Sequence, residues 1–161
     1  MPNPRIRMPA TTHAADDPFD LARFLEAQAD TYAQAVRELR SGQKLSHWMW
    51  FVFPQIDGLG ASATARRYAL KSLAETRAYL GHPVLGARIG ECTRIVNGLA
   101  GRTARQIFGT PDDLKFRSSM TLFELVADPG SEFAAALDKY FAGARDARTL
   151  ELVRNGTEPH A

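Results

Sequence analysis

The sequence predicts an all-α protein: a compact single-domain bundle of about seven to nine short helices joined by short connections. Three observations support this fold class. Residues that cap helix N-termini repeatedly precede apolar residues spaced three and four apart. Glycines follow several of these stretches, as is typical of helix ends. Only one run has a strand-like composition, and an isolated strand would leave its backbone N–H and C=O groups unpaired.

Size and composition agree with one folded domain. The chain has 161 residues, of which 45% are hydrophobic and 24% are charged, close to the soluble globular average. A chain of this length buries roughly 70% of its unfolded surface, so it needs no metal or disulfide to fold. This composition excludes a disordered chain, a collagen-like chain and a coiled coil. No apolar run approaches the roughly 20 residues that span a bilayer, so we expect no membrane partner.

The charge balance does not favour a nucleic-acid partner. The chain carries 20 basic and 18 acidic side chains, a formal net charge of +2. Arg5 and Arg7 account for the excess, because residues 1–15 contain no Asp or Glu. The remaining chain is formally neutral, whereas a nucleic-acid-binding domain usually concentrates Lys and Arg on one face.

We expect a flexible N-terminal tail over residues 1–16, a helical domain over residues 17–154 and a flexible C-terminal tail over residues 155–161. The N-terminal tail lacks the apolar segment of a signal peptide. Cys92 is the only cysteine, so no intramolecular disulfide can form. A lone cysteine suits a reducing cytoplasm, and we interpret it as a small buried filler on a helix.

The predicted helices begin at capping residues and several end near glycines. Gly42, Gly81 and Gly143 mark predicted ends. The predicted starts, in chain order, are Asp20, Tyr32, Ser62, Ser72, Pro83, Thr103, Thr110 with Pro111, Ser131 and Asp146.

The segment 47–53, with the sequence HWMWFVF, is ambiguous because it is apolar at nearly every position. Its composition favours a strand, but no second strand is available to pair with it. We therefore expect a buried helix capped by Ser46 and ended near Pro54. Within it, His47, Trp48 and Trp50, with Gln55 just beyond, can stack or hydrogen-bond a planar ligand. The alternative is that these residues form only the core.

Two further segments contain candidate anion-binding residues. A glycine turn at residues 58–60 precedes Arg66 and Arg67, and a helix start after such a turn can hold a phosphate or carboxylate. Lys115, Ser118 and Ser119 share one helical face, where a lysine beside hydroxyls can bind an anion. The alternatives are an ordinary helix–helix turn, and serines bonded back to carbonyls beside a surface lysine.

The sequence gives no sign of a metal or a cofactor. A metal site would require His47 and His82 to converge with a carboxylate such as Asp112, and no paired-histidine motif is present. The nucleophile elbow of serine hydrolases and the Walker loop are also absent. We therefore expect neither a metal nor a cofactor.

Several strings of residues resemble the DUF1810 family of uncharacterised bacterial and fungal proteins. The resemblance covers roughly residues 19–153 and implies an all-helical single domain, but it supplies no activity. Some members carry the label calpastatin, yet nothing here resembles the repeats of that disordered inhibitor. The matching strings are residues 23–24 with 27–28, 46–55, 58–60 with Ser62 and Tyr68, 82–86, 107–109, Lys115 with 118–123, and Asp146 with Thr149 and Leu150.

Our first hypothesis is that segments 47–55 and 115–123 meet at a cleft that binds a small anionic or nucleotide-like ligand. His47 and Lys115 are the candidate catalytic residues, and a hydrolysis would use His47 as the base. The second hypothesis is a protein–protein interaction module without chemistry, whose partner the sequence does not identify. The candidate ligand-binding residues of the first hypothesis are Trp48, Trp50, Gln55, Arg67, Tyr68, Ser118 and Ser119.

Overall fold

A computed structural model describes residues 16–156, which form ten helices joined by short loops. The all-α class is confirmed, and the helix count exceeds the predicted range by one. Helices α3, α4 and α7 are each only about one turn long, and all three lie in segments that were predicted to be helical. The helices are α1 Ala22–Ala29, α2 Tyr32–Ser41, α3 Met49–Val52, α4 Ala63–Arg67, α5 Leu73–Gly81, α6 Leu85–Asn97, α7 Ala104–Phe108, α8 Asp112–Glu124, α9 Glu132–Phe141 and α10 Ala147–Gly156.

The predicted tails fall largely outside the described residues, namely at residues 1–15 and 157–161. Asn155 and Gly156, which the sequence analysis assigned to the C-terminal tail, are the last residues of α10. None of the helices within residues 16–156 has the length and apolarity needed to cross a bilayer.

Helix α8 lies at the centre of the core and packs against α5, α7, α9 and α10. Phe116 stacks on Phe108 of α7, with 4.5 Å between ring centroids, and meets the edge of Phe53 at 5.1 Å. About two turns later, Phe123 contacts Tyr79 of α5 and Phe133 of α9. Burial of these rings supplies the main driving force for folding, because each removes a large apolar surface from water.

Five predicted helix caps are confirmed. The side-chain oxygens of Ser62, Ser72, Thr103 and Ser131 each accept an N–H from the first turn of α4, α5, α7 and α9. The carboxylate of Asp146 accepts the N–H of Thr149 in the first turn of α10. Each bond satisfies a backbone donor that has no partner inside its helix.

Three predicted starts are wrong. Thr110 does not cap α8, which begins at Asp112 with Pro111 in the N-cap position and has no side-chain cap. Asp20 does not cap α1: Leu21 is in the N-cap position, and the carboxylate of Asp17 accepts the N–H groups of Leu21 and Ala22. Helix α6 begins at Leu85 and not at Pro83, because the His82 imidazole accepts the N–H groups of residues 84 and 85 through Nδ1.

The ambiguous aromatic segment is helical, but only over the single turn of α3. The predicted cap is wrong: the hydroxyl of Ser46 donates to the carboxylate of Glu38 in α2. The same carboxylate accepts the N–H groups of Leu45 and Ser46, the indole N–H of Trp48 and the side-chain amide of Gln34. Glu38 therefore fixes the loop that leads into α3.

Glu38 is only 3% exposed, yet it remains a strong acid. Burial by itself raises the pKa of Glu38, but the hydrogen bonds from Ser46, Gln34 and Leu45 lower this pKa by more. The net result is a fall in pKa from the ordinary 4.5 to about 2. These donors stabilise the charged form more than the lost hydration destabilises it.

We expect Glu38→Gln to lower the free energy of unfolding at pH 7 by about 1–3 kcal/mol, because an amide of the same shape accepts fewer of these bonds. Since the pKa of Glu38 is lower in the folded chain, its contribution is complete above pH 4.5 and is lost as the pH falls toward 2. Urea unfolding of both proteins between pH 7 and pH 2.5 should show their difference shrinking over that window. The exposed Glu26→Gln variant is the control, and a pH-independent difference would contradict the assignment.

Gly86 is the point of closest approach between α6 and the end of α5. A Cβ at this position would lie 1.9 Å from the carbonyl oxygen of Leu80, a backbone atom that cannot move aside. We expect Gly86→Ala to destabilise the fold by about 3 kcal/mol or more through this overlap. Gly81→Ala is the matched control, because its Cβ would meet nothing within 4 Å. Thermal unfolding measures both, and equal melting temperatures would show that the two helices separate without penalty.

Candidate functional site

The two segments that the sequence analysis singled out lie against each other. The ring of Phe53, just after α3, packs on Phe116 of α8 with 5.1 Å between centroids. The ammonium group of Lys115 lies 5.5 Å from the ring centroid of Trp50. The start of α8 therefore covers one side of the aromatic segment.

A cluster of three charged side chains, Lys44, Asp112 and Lys115, fixes this contact. The Lys44 ammonium group lies 2.8 Å from Asp112 Oδ2, and its side chain is only 7% exposed. Lys115 approaches the other carboxylate oxygen at 3.6 Å and is 31% exposed. Lys44 also lies 5.2 Å from the ring centroid of Trp48, so each lysine faces one tryptophan. Two cations share a single carboxylate, which leaves this lysine cluster with a positive formal charge.

A small cavity lies on the same tryptophan. It has a volume of about 20 Å³, enough for roughly one water molecule. Trp50, Gln55 and Tyr68 line it, and the remaining wall consists of Ile56, Leu59, Gly60, Ala65 and Ala69. We call this the Trp50 cavity.

Backbone pairing places the two sides of the Trp50 cavity together. Leu70 donates its N–H to the carbonyl of Gln55 and accepts the N–H of Asp57, which forms a single parallel bridge between Ile56 and Leu70. This bridge brings residues 55–57 alongside residues 68–70. The Tyr68 ring then packs on Phe51, with 5.4 Å between centroids.

Four of the candidate residues therefore lie at one place: Trp50, Gln55 and Tyr68 line the cavity, and Lys115 faces the Trp50 ring. Within the described residues, neither the side-chain amide of Gln55 nor the indole N–H of Trp50 has a hydrogen-bond partner. Both groups remain available to a ligand.

The other candidates lie elsewhere. His47 is exposed at the start of the segment, and Trp48 is fully buried with its indole N–H bonded to Glu38. Ser118 donates to Asp146, the residue that caps α10. Arg67 is exposed and lines a separate groove. Its guanidinium lies 5.4 Å from the centroid of the Tyr68 ring, which is its contact with the site.

Ser119 is fully buried, and its hydroxyl has no hydrogen-bond partner among the described residues. It lies one helical turn after Lys115, so both side chains belong to the same face of α8. A buried hydroxyl without a partner is uncommon in proteins.

Sequence reasoning missed Lys44 and Glu38, and considered Asp112 only as a metal ligand. The spacing of Asp112 and Lys115 is a helical i,i+3 spacing, so their ion pair was predictable from the sequence. Lys44 pairs with Asp112, which is distant in sequence, and Glu38 accepts hydrogen bonds from a folded loop. No residue spacing in the sequence indicates either contact.

Neither a cluster of metal ligands nor a reactive thiol is found within residues 16–156. Among residues 16–156 no three His, Cys, Asp or Glu side chains are placed to hold a metal ion. Cys92 is buried in α6, and this burial raises the pKa of its thiol to about 12. Such a thiol is a poor nucleophile at neutral pH, which agrees with a role in packing.

Comparison with known proteins places the chain in a family. The profile of DUF1810, described as a protein of unknown function, matches residues 18–153. The fold is similar to the crystal structure of a conserved hypothetical protein from Mycobacterium tuberculosis, with 54% sequence identity and a TM-score of 0.84. That similarity covers 86% of this chain and 99% of the other. No curated protein matches the chain. Because the profile spans almost all the described residues, this chain belongs to the DUF1810 family.

Proposed function

We propose that this protein binds a small anionic ligand, or the anionic end of a nucleotide-like ligand, at the Trp50 cavity. One observation carries the proposal: the ring of Trp50 lines a cavity with Gln55 and Tyr68 while the Lys115 ammonium group lies against the same ring. Aromatic surface, unused hydrogen-bonding groups and a cation at one place are typical of small-ligand sites.

The charge of the lysine cluster favours an anion. Lys44 is buried and makes the shorter contact with Asp112, so it neutralises most of that carboxylate. Lys115 is farther from the carboxylate and partly exposed. It is therefore only weakly paired, and its positive charge is available to a ligand. Its position beside an indole ring reduces the water around it, which strengthens its attraction for an anion.

The hydrogen-bonding groups set the orientation of the ligand. The Gln55 amide offers both a donor and an acceptor, and the Trp50 indole offers a donor. The cavity volume of about 20 Å³ admits one small group, such as a carboxylate or phosphate oxygen, and not a whole base. The remainder of a larger ligand would lie outside the cavity.

The proposal contains no chemical step. His47, the base of the predicted hydrolysis, is exposed and makes no hydrogen bond or ion pair with another described residue. A general base must lie within hydrogen-bond reach of the proton that it removes, directly or through one water. Binding follows from the contacts of Trp50 and Lys115, and hydrolysis by His47 stays a prediction from the sequence.

A thermal-shift titration with pyrophosphate and with ADP tests the site. A probe at about ten times its Kd stabilises the folded chain by about 1.4 kcal/mol, which raises the melting temperature by about 3–6 °C. We expect Lys115→Gln and Gln55→Leu to reduce this shift at equal probe concentration, because they remove the cation and the amide. Arg148→Gln is the charge-matched control, since Arg148 is exposed on α10 and, among residues 16–156, forms an ion pair only with Glu151.

No shift with either probe, or an equal loss in Arg148→Gln, would contradict an anion site at Trp50. The interaction-module hypothesis from the sequence would then be the one to pursue.

Tryptophan fluorescence gives a second test, because the chain contains only Trp48 and Trp50. Trp48 is fully buried, whereas Trp50 is half-buried and lines the cavity. We expect the probe that raises the melting temperature to change the emission of the wild-type protein, and Trp50→Phe to abolish this change while Trp48 still emits. A change that persists in Trp50→Phe would move the ligand away from the cavity.

A further inference from the structure

A second and much larger cavity lies where the residues before α1 meet the connection between α4 and α5. It has a volume of about 510 Å³, within the range of small-molecule sites. Phe19, Asp20, Arg67 and Lys71 line it, together with Ser72 at the start of α5 and a floor formed by Arg23 and Glu75. We call it the Arg67 groove; its lining shares no residue with the Trp50 cavity.

The floor of the Arg67 groove is a saturated buried ion pair. The Arg23 guanidinium lies 2.7 Å from Glu75 and donates its other N–H groups to the carbonyls of Phe19, Asp20, Arg67 and Ala69. The second oxygen of Glu75 accepts the N–H of Lys71. Because every donor of Arg23 is used, the floor holds the walls in place and offers a ligand no further hydrogen bond.

The exposed charged side chains of the groove lie at its rim. Arg67 is exposed, and the side chain of Lys71 is 55% exposed, with its nearest carboxylate, Asp57, 3.9 Å away. Asp20 is the carboxylate that lines the groove beside them. Arg67 and Lys71 are thus opposed by Asp20 in the lining and by Asp57 on the far side of Lys71, and the positive end of the α5 dipole adds to the two cations because Ser72, its N-cap, also lines the groove.

The remaining wall is the apolar ring of Phe19, and the backbone of the next residue is strained. Phe19 lies half-buried along the groove, next to Asp20. Asp20 has a φ of +53°, which L side chains seldom adopt, and its carbonyl accepts an Arg23 N–H at 2.8 Å. The ion pair in the floor therefore also fixes the chain that presents the Phe19 ring.

We propose that the Arg67 groove is a separate binding site for a small organic anion, a phosphate ester or a carboxylate attached to an apolar or planar group. Arg67 and Lys71 would hold the anionic end, and Phe19 would contact the apolar end. Asp20 would weaken the binding of any anion by repulsion. Removal of the Asp20 charge is therefore expected to increase the affinity for an anion.

Isothermal titration of the full chain with phenyl phosphate, benzoate and inorganic phosphate tests this site. We expect at least one of the two aromatic probes to bind with a Kd below about 10 mM and more tightly than inorganic phosphate, which lacks the apolar group. Comparison of phenyl phosphate with benzoate shows which anion the groove prefers.

Charge variants locate the bound probe. We expect Arg67→Gln to weaken binding about five-fold and Asp20→Asn to strengthen it about two-fold, as expected for partly exposed charges. Asparagine tolerates the positive φ of position 20, so the backbone is retained. Lys115→Gln and Arg148→Gln should leave the affinity unchanged, and this separates the groove from the Trp50 cavity.

The two sites can fail independently. Absence of binding for both aromatic probes, or an unchanged affinity in both Arg67→Gln and Asp20→Asn, would overturn the groove proposal. A loss of binding in Lys115→Gln alone would also overturn it, by moving the probe to the Trp50 cavity. Opposite effects of the Arg67 and Asp20 variants exclude misfolding as their common cause.

Discussion

A buried carboxylate holds the aromatic segment of this protein in place. Glu38 is enclosed by α2 and the loop before α3, and it accepts hydrogen bonds from the backbone of Leu45 and Ser46 and from the indole of Trp48. Removing a charge from water is unfavourable unless its oxygens are fully hydrogen-bonded, and here the donors of a whole loop converge on one group. These hydrogen bonds are the reason that the pKa of Glu38 is low, about 2.

The position of the loop decides what each tryptophan does. With its N–H bonded to Glu38, Trp48 lies inside the core, and the next turn directs Trp50 toward the start of α8. Asp112 then joins Lys44 from the loop to Lys115 from α8. The same contacts that order the loop therefore leave a cation beside the indole ring that lines the Trp50 cavity.

Local signals in the sequence predicted most of the helices but not the surroundings of each site residue. Ser62, Ser72, Thr103 and Ser131 cap helices as expected, because a cap depends only on the next three residues. Asp20 and Ser46 were wrongly predicted as caps. Competing hydrogen bonds decide these positions: Asp17, a few residues earlier in the chain, satisfies the start of α1, and Glu38 of α2 draws the Ser46 hydroxyl away from α3.

The sequence by itself determined the all-α class, the approximate helix positions and the residues whose chemistry suits a ligand, since these depend on spacing and residue type. Only the tertiary structure decided which candidates meet. It brought Trp50, Gln55, Tyr68 and Lys115 together, turned Ser118 toward α10 and placed Arg67 in a separate groove. The physical reason is that helical spacing defines a face, whereas the neighbour of that face is selected by packing and by ion pairs between residues distant in the chain, such as Lys44 and Asp112.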